Sequence, residues 1–322
     1  MITTDDESGG ALIGQVQVVQ HAGASMVFCI DDRGYGISAW TPSTGRWTSS
    51  DLTYVHAEDP RMAAFPDADN VLTTFAALSR GGRLLLAAGG HEQEPALWDF
   101  DSGEIVARTP LSGAYTAAVI ALDEAFVTYQ LYSDEIRLWA PDGAVTVLGH
   151  VPNLRRLALV RDGDRTLILG FGERITAWDA TTLTEIGEYA PFPGPIRAAT
   201  TCVLDQDAMA FSVVKKVGLY AWPFGAGKPL YGPVLLKEGL PDSMAVTNVD
   251  GRPLLVMPIQ NSLRLRDAKD GTLVGRIPTS GYRVTAMQAA TVDGRPSLVT
   301  GGDDGVLRIW DETDLAEQLR PV

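Results

Sequence analysis

Apolar and polar positions alternate along most of the chain in short runs, and the runs are separated by Gly, Asp, Asn and Pro, the punctuation of β-hairpins rather than of helices. Residues 243–278 show the pattern most openly. SMAVTNV leads to the turn DGRP, LLVMPI to a turn around Asn261, LRLRDA to KDG, and TLVGRIP ends the unit, so four strands are predicted. LLVMPI is apolar almost throughout, as expected of a strand covered on both faces, whereas the third strand sets Leu263 and Leu265 against Arg264 and Arg266. A flat sheet of this kind has two faces to bury and cannot do so alone.

The same unit recurs. Aligning on the strand that ends in Trp310 recovers GYGISAWT at Trp40, EPALWDFDSG at Trp98, DEIRLWAPDG at Trp139, ERITAWDATT at Trp178, VGLYAWPFGAG at Trp222 and SLRLRDAKDG at Arg266. The intervals are 58, 41, 39, 44, 44 and 44 residues, and VDGRP appears twice, at Val249 and at Val292. A period of about 40 to 45 residues with four strands each is that of propeller blades, which bury their faces against one another. The expectation is an all-β fold, a single seven-bladed β-propeller over residues 1–322, with four-stranded antiparallel blades around a central channel. Either AEQLRPV or the N-terminal residues would supply the outer strand of the last blade, and Thr313, Asp314 and Leu315 would equally suit the start of a short helix. The first interval holds about 15 extra residues, most of them in YVHAEDPRMAAFPDADN. His56, Met62 and Phe65 are its contacts if that loop binds anything.

LVTGGDDGVLRIWDETD, with Asp304 in the turn before Trp310, resembles the hairpin of the WD-repeat β-propeller family. ALWDFDSGE and ITAWDATTL keep the Trp-Asp pair, and Gly149-His150 supplies one Gly-His dipeptide. Pro223 and Ala140 follow their Trp residues, Arg266 replaces Trp, and no blade carries the complete Asp, His, Ser/Thr and Trp set that braces a blade in that family. The resemblance covers nearly the whole chain and implies a rigid, non-catalytic scaffold whose loop face binds a protein or peptide.

Composition narrows the setting. The formal net charge of -14 opposes a nucleic-acid partner, since affinity for phosphates rests on Lys and Arg. MITTDDESGG has no basic segment leading into an apolar run, and no stretch approaches the roughly 18 apolar residues that span a bilayer, so a cytoplasmic protein without a membrane partner is expected. Arg, Ala and Gly outweigh Lys in the manner of a GC-rich bacterial coding sequence. Cys29 and Cys202 stand far apart without metal spacing, and His21, His56, His91 and His150 are scattered singly, so neither a metal nor a cofactor is expected.

Candidate partner-binding residues come from the turns and from the loops leading into each innermost strand. Lys215 and Lys216 form the turn of the fifth repeat, where several other repeats carry acids, and Arg155, Arg156, Arg197 and Arg283 precede or open innermost strands. Tyr115, Phe192, Tyr231 and Tyr282 lie in or beside such loops, and Arg and aromatic side chains are common interface anchors. Tyr282 with Arg283, flanked by the turn TSG, is the leading pair, followed by Arg197, Arg155, Tyr115, Phe192, Phe65, Lys215 and Lys216. The alternative is an enzyme or a binder of a small anion, with Arg155, Arg197 and Arg283 converging at an axial pocket.

Overall fold

The structure is a computed structural model that describes residues 1–4, 11–31, 36–50, 72–90, 93–108, 116–131, 133–188, 192–226 and 228–319. Its strands form seven four-stranded antiparallel sheets, so the fold class is that of an all-β seven-bladed propeller. A short strand β1 (Ile2–Thr3) precedes blade 1, which is β2 (Ile13–His21), β3 (Ala24–Asp31), β4 (Ile37–Thr41) and β5 (Arg46–Ser50). Blade 2 is β6 (Leu72–Arg80), β7 (Arg83–Gly90), β8 (Gln93–Asp99) and β9 (Ile105–Arg108), and blade 3 is β10 (Thr116–Leu122), β11 (Ala125–Gln130), β12 (Glu135–Trp139) and β13 (Val145–His150). Blade 4 is β14 (Arg156–Asp162), β15 (Arg165–Phe171), β16 (Ile175–Asp179) and β17 (Glu185–Glu188). Blade 5 is β18 (Ile196–Leu204), β19 (Asp207–Val214), β20 (Gly218–Pro223) and β21 (Tyr231–Val234). Blade 6 is β22 (Ala245–Val249), β23 (Arg252–Pro258), β24 (Ser262–Asp267) and β25 (Leu273–Pro278), and β26 (Val284–Val292), β27 (Arg295–Gly302) and β28 (Leu307–Asp311) begin blade 7.

The chain divides into two compact units, Gly14–His150 and Met1–Ile13 with Val151–Val322. In the first, the innermost strands are joined by side-chain amides. Gln15 and Gln17 on β2 each donate to and accept from the backbone of β6, at Phe75 and Ala77, with distances of 2.6 to 3.2 Å. Thr74 Oγ1 accepts from Val119 N on β10 in the same way. These residues are the polar half of the alternation read in the sequence, and they satisfy backbone groups that have no ladder partner on that side.

In the second unit the second strands carry the core. Leu255 and Met257 on β23 pack toward blade 5 with Phe211, Val213 and Leu236, whereas Leu254 and Val256 pack toward blade 7 with Leu298 and Trp310. A period of two therefore feeds two neighbours, which is why the strand reads as continuously apolar. The last sheet is completed by the N-terminus: Ile2 pairs with Ile309 and Thr3 with Arg308, in the order β1-β28-β27-β26. The C-terminal segment turns instead into a helix, α1 (Glu312–Gln318), whose N-cap Asp311 and N3 residue Asp314 form a reciprocal capping box.

All seven anchors sit on third strands and are buried, Arg266 included. The Asp after the anchor has a repeated role. Asp99, Asp179 and Asp267 each accept hydrogen bonds from backbone N–H groups two or three residues on, holding the turn to the outer strand. In blade 7 the same position, Asp311, caps α1. Arg266 Nη1 donates to Gly271 O at 2.8 Å and Nη2 to both oxygens of Glu238 at 3.1 and 3.2 Å, so a buried cation occupies the slot with its own counter-charge. Gly271 lies at φ +75°, and a Cβ there would meet Tyr231 Cε2 at 2.9 Å, so this turn requires glycine. Among the described residues no helix is long and apolar enough to cross a membrane.

Candidate functional site

The segment before β14 and the β15–β16 turn close on each other. Arg155 N donates to Phe171 O at 2.7 Å, Gly172 N to Arg174 O at 3.0 Å, and Asn153 Nδ2 to Glu173 Oε1 at 3.0 Å. A Cβ on Gly172 would come within 2.8 Å of Pro152 O, so the approach depends on the missing side chain. Phe192 N then donates to Glu173 O at 3.0 Å, bringing the blade 4–5 connection over the turn. The Phe192 ring is held edge-on by Trp222 (5.9 Å) and Tyr220 (6.2 Å), which fixes its position without burying it fully.

These elements enclose a cavity of about 490 Å³ lined by Asn153, Arg155, Glu173, Arg174, Phe192 and the run Pro193–Ile196. Arg155 and Arg174 line it together with Glu173, whose carboxylate accepts from Asn153. Lys215 N donates to Pro195 O, and the exposed Lys215 and Lys216 form the adjoining β19–β20 turn, with Lys216 at φ +65°. A partly aromatic hollow with two arginines in its lining thus stands on a chain of net charge -14.

Beside it, Arg156 Nη2 donates to Asp242 O at 2.8 Å and Arg197 Nη2 pairs with Asp242 Oδ1. Asp242 precedes β22, so blades 4, 5 and 6 meet at one residue, whose backbone carbonyl takes Arg156 and whose carboxylate takes Arg197. Nothing in PDSMAV marked this residue. Its role depends on two arginines that lie 86 and 45 positions earlier in the chain.

The candidates of blade 7 lie apart from that group. Tyr282 is half-buried, with the Arg308 guanidinium 3.5 Å above its ring centroid, and burial raises its pKa while Arg308 opposes the rise. It lines a second hollow of about 700 Å³ with Met1, Thr3, Ser280, Asp304 and Trp310. Arg308 is itself fixed by Asp304, at 3.1 Å from Nη1 and 2.5 Å from Nη2. Arg283 is exposed, and its backbone N donates to Asp303 Oδ1 at 2.7 Å. Of the three arginines expected to converge, Arg155 lines the blade 4–5 cavity, Arg197 pairs with Asp242, and Arg283 stands beside the blade 7 hollow. Phe65 and Tyr115, with His56, Met62 and His91, lie outside the described residues. No protein-family model matches the chain, and no curated protein matches it significantly.

Proposed function

We propose that this protein is a non-catalytic scaffold that binds a protein or peptide at the blade 4–5 cavity, as the WD-repeat resemblance implies. The observation that carries the reading is the cavity itself: Arg155 and Arg174 beside a braced Phe192 and two prolines suit an acidic segment with an apolar side chain. Lys215 and Lys216 extend the positive surface and favour encounter with such a segment. The same two guanidinium groups would also suit a small anion, which keeps a second reading in view.

A photo-crosslinking residue placed at Lys216 should capture a polypeptide in the source cell, and one placed at Asp164, in the β14–β15 turn at the other end of blade 4, should not. Arg155→Glu with Arg174→Glu should abolish the capture. Equal capture from both positions, or capture indifferent to the charge reversal, would remove the proposal. An added small mass in native mass spectrometry, lost in the same variant and unaccompanied by a crosslinked polypeptide, would favour the anion.

A further inference from the structure

Blade 6 gathers three arginines on one face of its sheet. Arg264 and Arg266 lie two residues apart on β24 and therefore on one face of the sheet, and Arg276 on β25 stands directly opposite Arg264. That face is the one that carries Leu255 and Met257, the pairing partners of Arg266 and Arg264, and it packs toward blade 5. The three form a gradient, Arg266 buried, Arg264 intermediate and Arg276 exposed.

Glu238, on the connection from β21 to β22, is the one carboxylate among the described residues that pairs directly with any of them, and both its oxygens are taken by Arg266 Nη2. The Nε–H groups of Arg264 and of Arg266 are buried with no acceptor, and neither Arg264 nor Arg276 has a carboxylate partner among the described residues. Burial first, and then the charge of Arg276, holds the Arg264 pKa below the usual arginine value, with Glu238 opposing. Like charges directly opposite in a sheet destabilise it, and a buried donor without an acceptor adds to the cost. Among the described residues one carboxylate pairs with the three guanidinium groups, so Arg264 and Arg276 carry their positive charge without a direct counter-charge.

The geometry points to an anion site: Arg264 and Arg276, backed by Arg266, bind a tetrahedral phosphate-type oxyanion at the outer strands of blade 6. A planar guanidinium offers two parallel N–H donors, and several such forks match an anion with more than two oxygens better than they match a single carboxylate. The site is independent of the blade 4–5 cavity and does not require that the cavity bind a peptide. The shared chemistry is a phosphoryl group, either free or carried on a side chain.

The test uses the full chain, with inorganic phosphate and N-acetylphosphoserine amide as probes and sodium chloride at matched ionic strength as the control. Calorimetric titration should give saturable binding of phosphate that chloride does not mimic. Arg276→Gln, at an exposed position that leaves the fold intact, should weaken it at least tenfold, and Arg264→Gln should do the same. Arg174→Gln, in the blade 4–5 cavity, should leave it unchanged. In phosphate-free buffer Arg264→Gln should hold or raise the melting temperature, because it relieves the repulsion. Tighter binding of the phosphoserine probe would assign the phosphoryl group to a modified protein, and tighter binding of phosphate to a free anion. Absence of saturable binding, or binding that survives Arg276→Gln unchanged, would overturn the proposal.

Discussion

Blades 6 and 7 face the same structural demand at the end of their third strands and meet it with opposite chemistry. In blade 7 the Trp310 indole is buried and its Nε1 donates to Thr300 Oγ1 at 3.1 Å, two residues beyond its pairing partner Leu298 on β27. In blade 6 that position holds Arg266, and the residue two beyond its partner Leu255 is Met257, which offers no hydroxyl. The slot wants bulk and a local acceptor. Trp310 takes its acceptor from within its own sheet, whereas Arg266 recruits Glu238 from the preceding connection and Gly271 from the turn. Other blades fall between: the indoles of Trp98, Trp139, Trp178 and Trp222 are buried with no protein acceptor among the described residues. Bulk is therefore the stricter requirement, and the hydrogen bond can be forgone at a cost of about 1–3 kcal/mol.

The harshest test of this comparison is Trp310→Ala, which opens a void against Leu298 and Leu315. It should cost about 3–5 kcal/mol in a denaturant titration. Glu238→Gln should follow at about 3 kcal/mol, since it strands the Arg266 cation where only 7% of the side chain reaches solvent. The reverse change should be milder. Arg266→Met leaves behind a carboxylate that is 23% exposed and can turn to water, so a cost below that of Glu238→Gln is expected. If the two cost the same, the slot is governed by packing and the charge pair is incidental. Thr300→Val removes the indole acceptor while keeping the shape, and about 1 kcal/mol should be lost, measured by the same titration.

The anchors were legible because a buried Trp at a fixed interval leaves a mark that survives divergence, and the 44-residue spacing carried the register across Arg266 even where the residue type failed. The four strands of blade 6 fall where the turns DGRP and KDG place them. Two features of the ends were open: which segment completes blade 7, and whether 313–315 start a helix. The sequence around Asp311 contains the answer in its Asp311-to-Asp314 capping spacing, but the same Asp in Asp99, Asp179 and Asp267 supports a β-turn, so the local signal was shared by two outcomes. The site was half legible. Arg155, Phe192, Lys215 and Lys216 gather where a loop-and-turn reading put them, because all belong to adjacent connections of blades 4 and 5. Asp242 and Glu238 were not, because a lone acid in a loop is common and its meaning comes only from arginines brought to it by the packing of neighbouring blades. Tyr282 was legible as an aromatic beside a turn, yet its half-burial under Arg308 depends on a residue in the next hairpin.

The weakest expected effect concerns that stack and is read through pH. Burial alone would raise the Asp304 carboxyl pKa, but the hydrogen bonds from Arg308 and from Val306 N hold it below the usual aspartate value. A carboxyl depressed in the folded state contributes stability that is fully present above its unfolded pKa of about 3.9 and is lost as pH falls through the lower folded value. Acidification through that window should therefore release Arg308 from Asp304 and loosen its contact with the Tyr282 ring. The measurement is the melting temperature from pH 7 down to pH 3 in wild type and in Asp304→Asn, with tyrosine fluorescence difference spectra following Tyr282. Because Asp304→Asn removes the titrating group and keeps the shape, its curve should lie below wild type at pH 7 and converge with it at the acid end. Parallel curves would mean that Arg308 is held over Tyr282 by the Val306 carbonyl and by packing against the ring, and that the ion pair only decorates a contact already made.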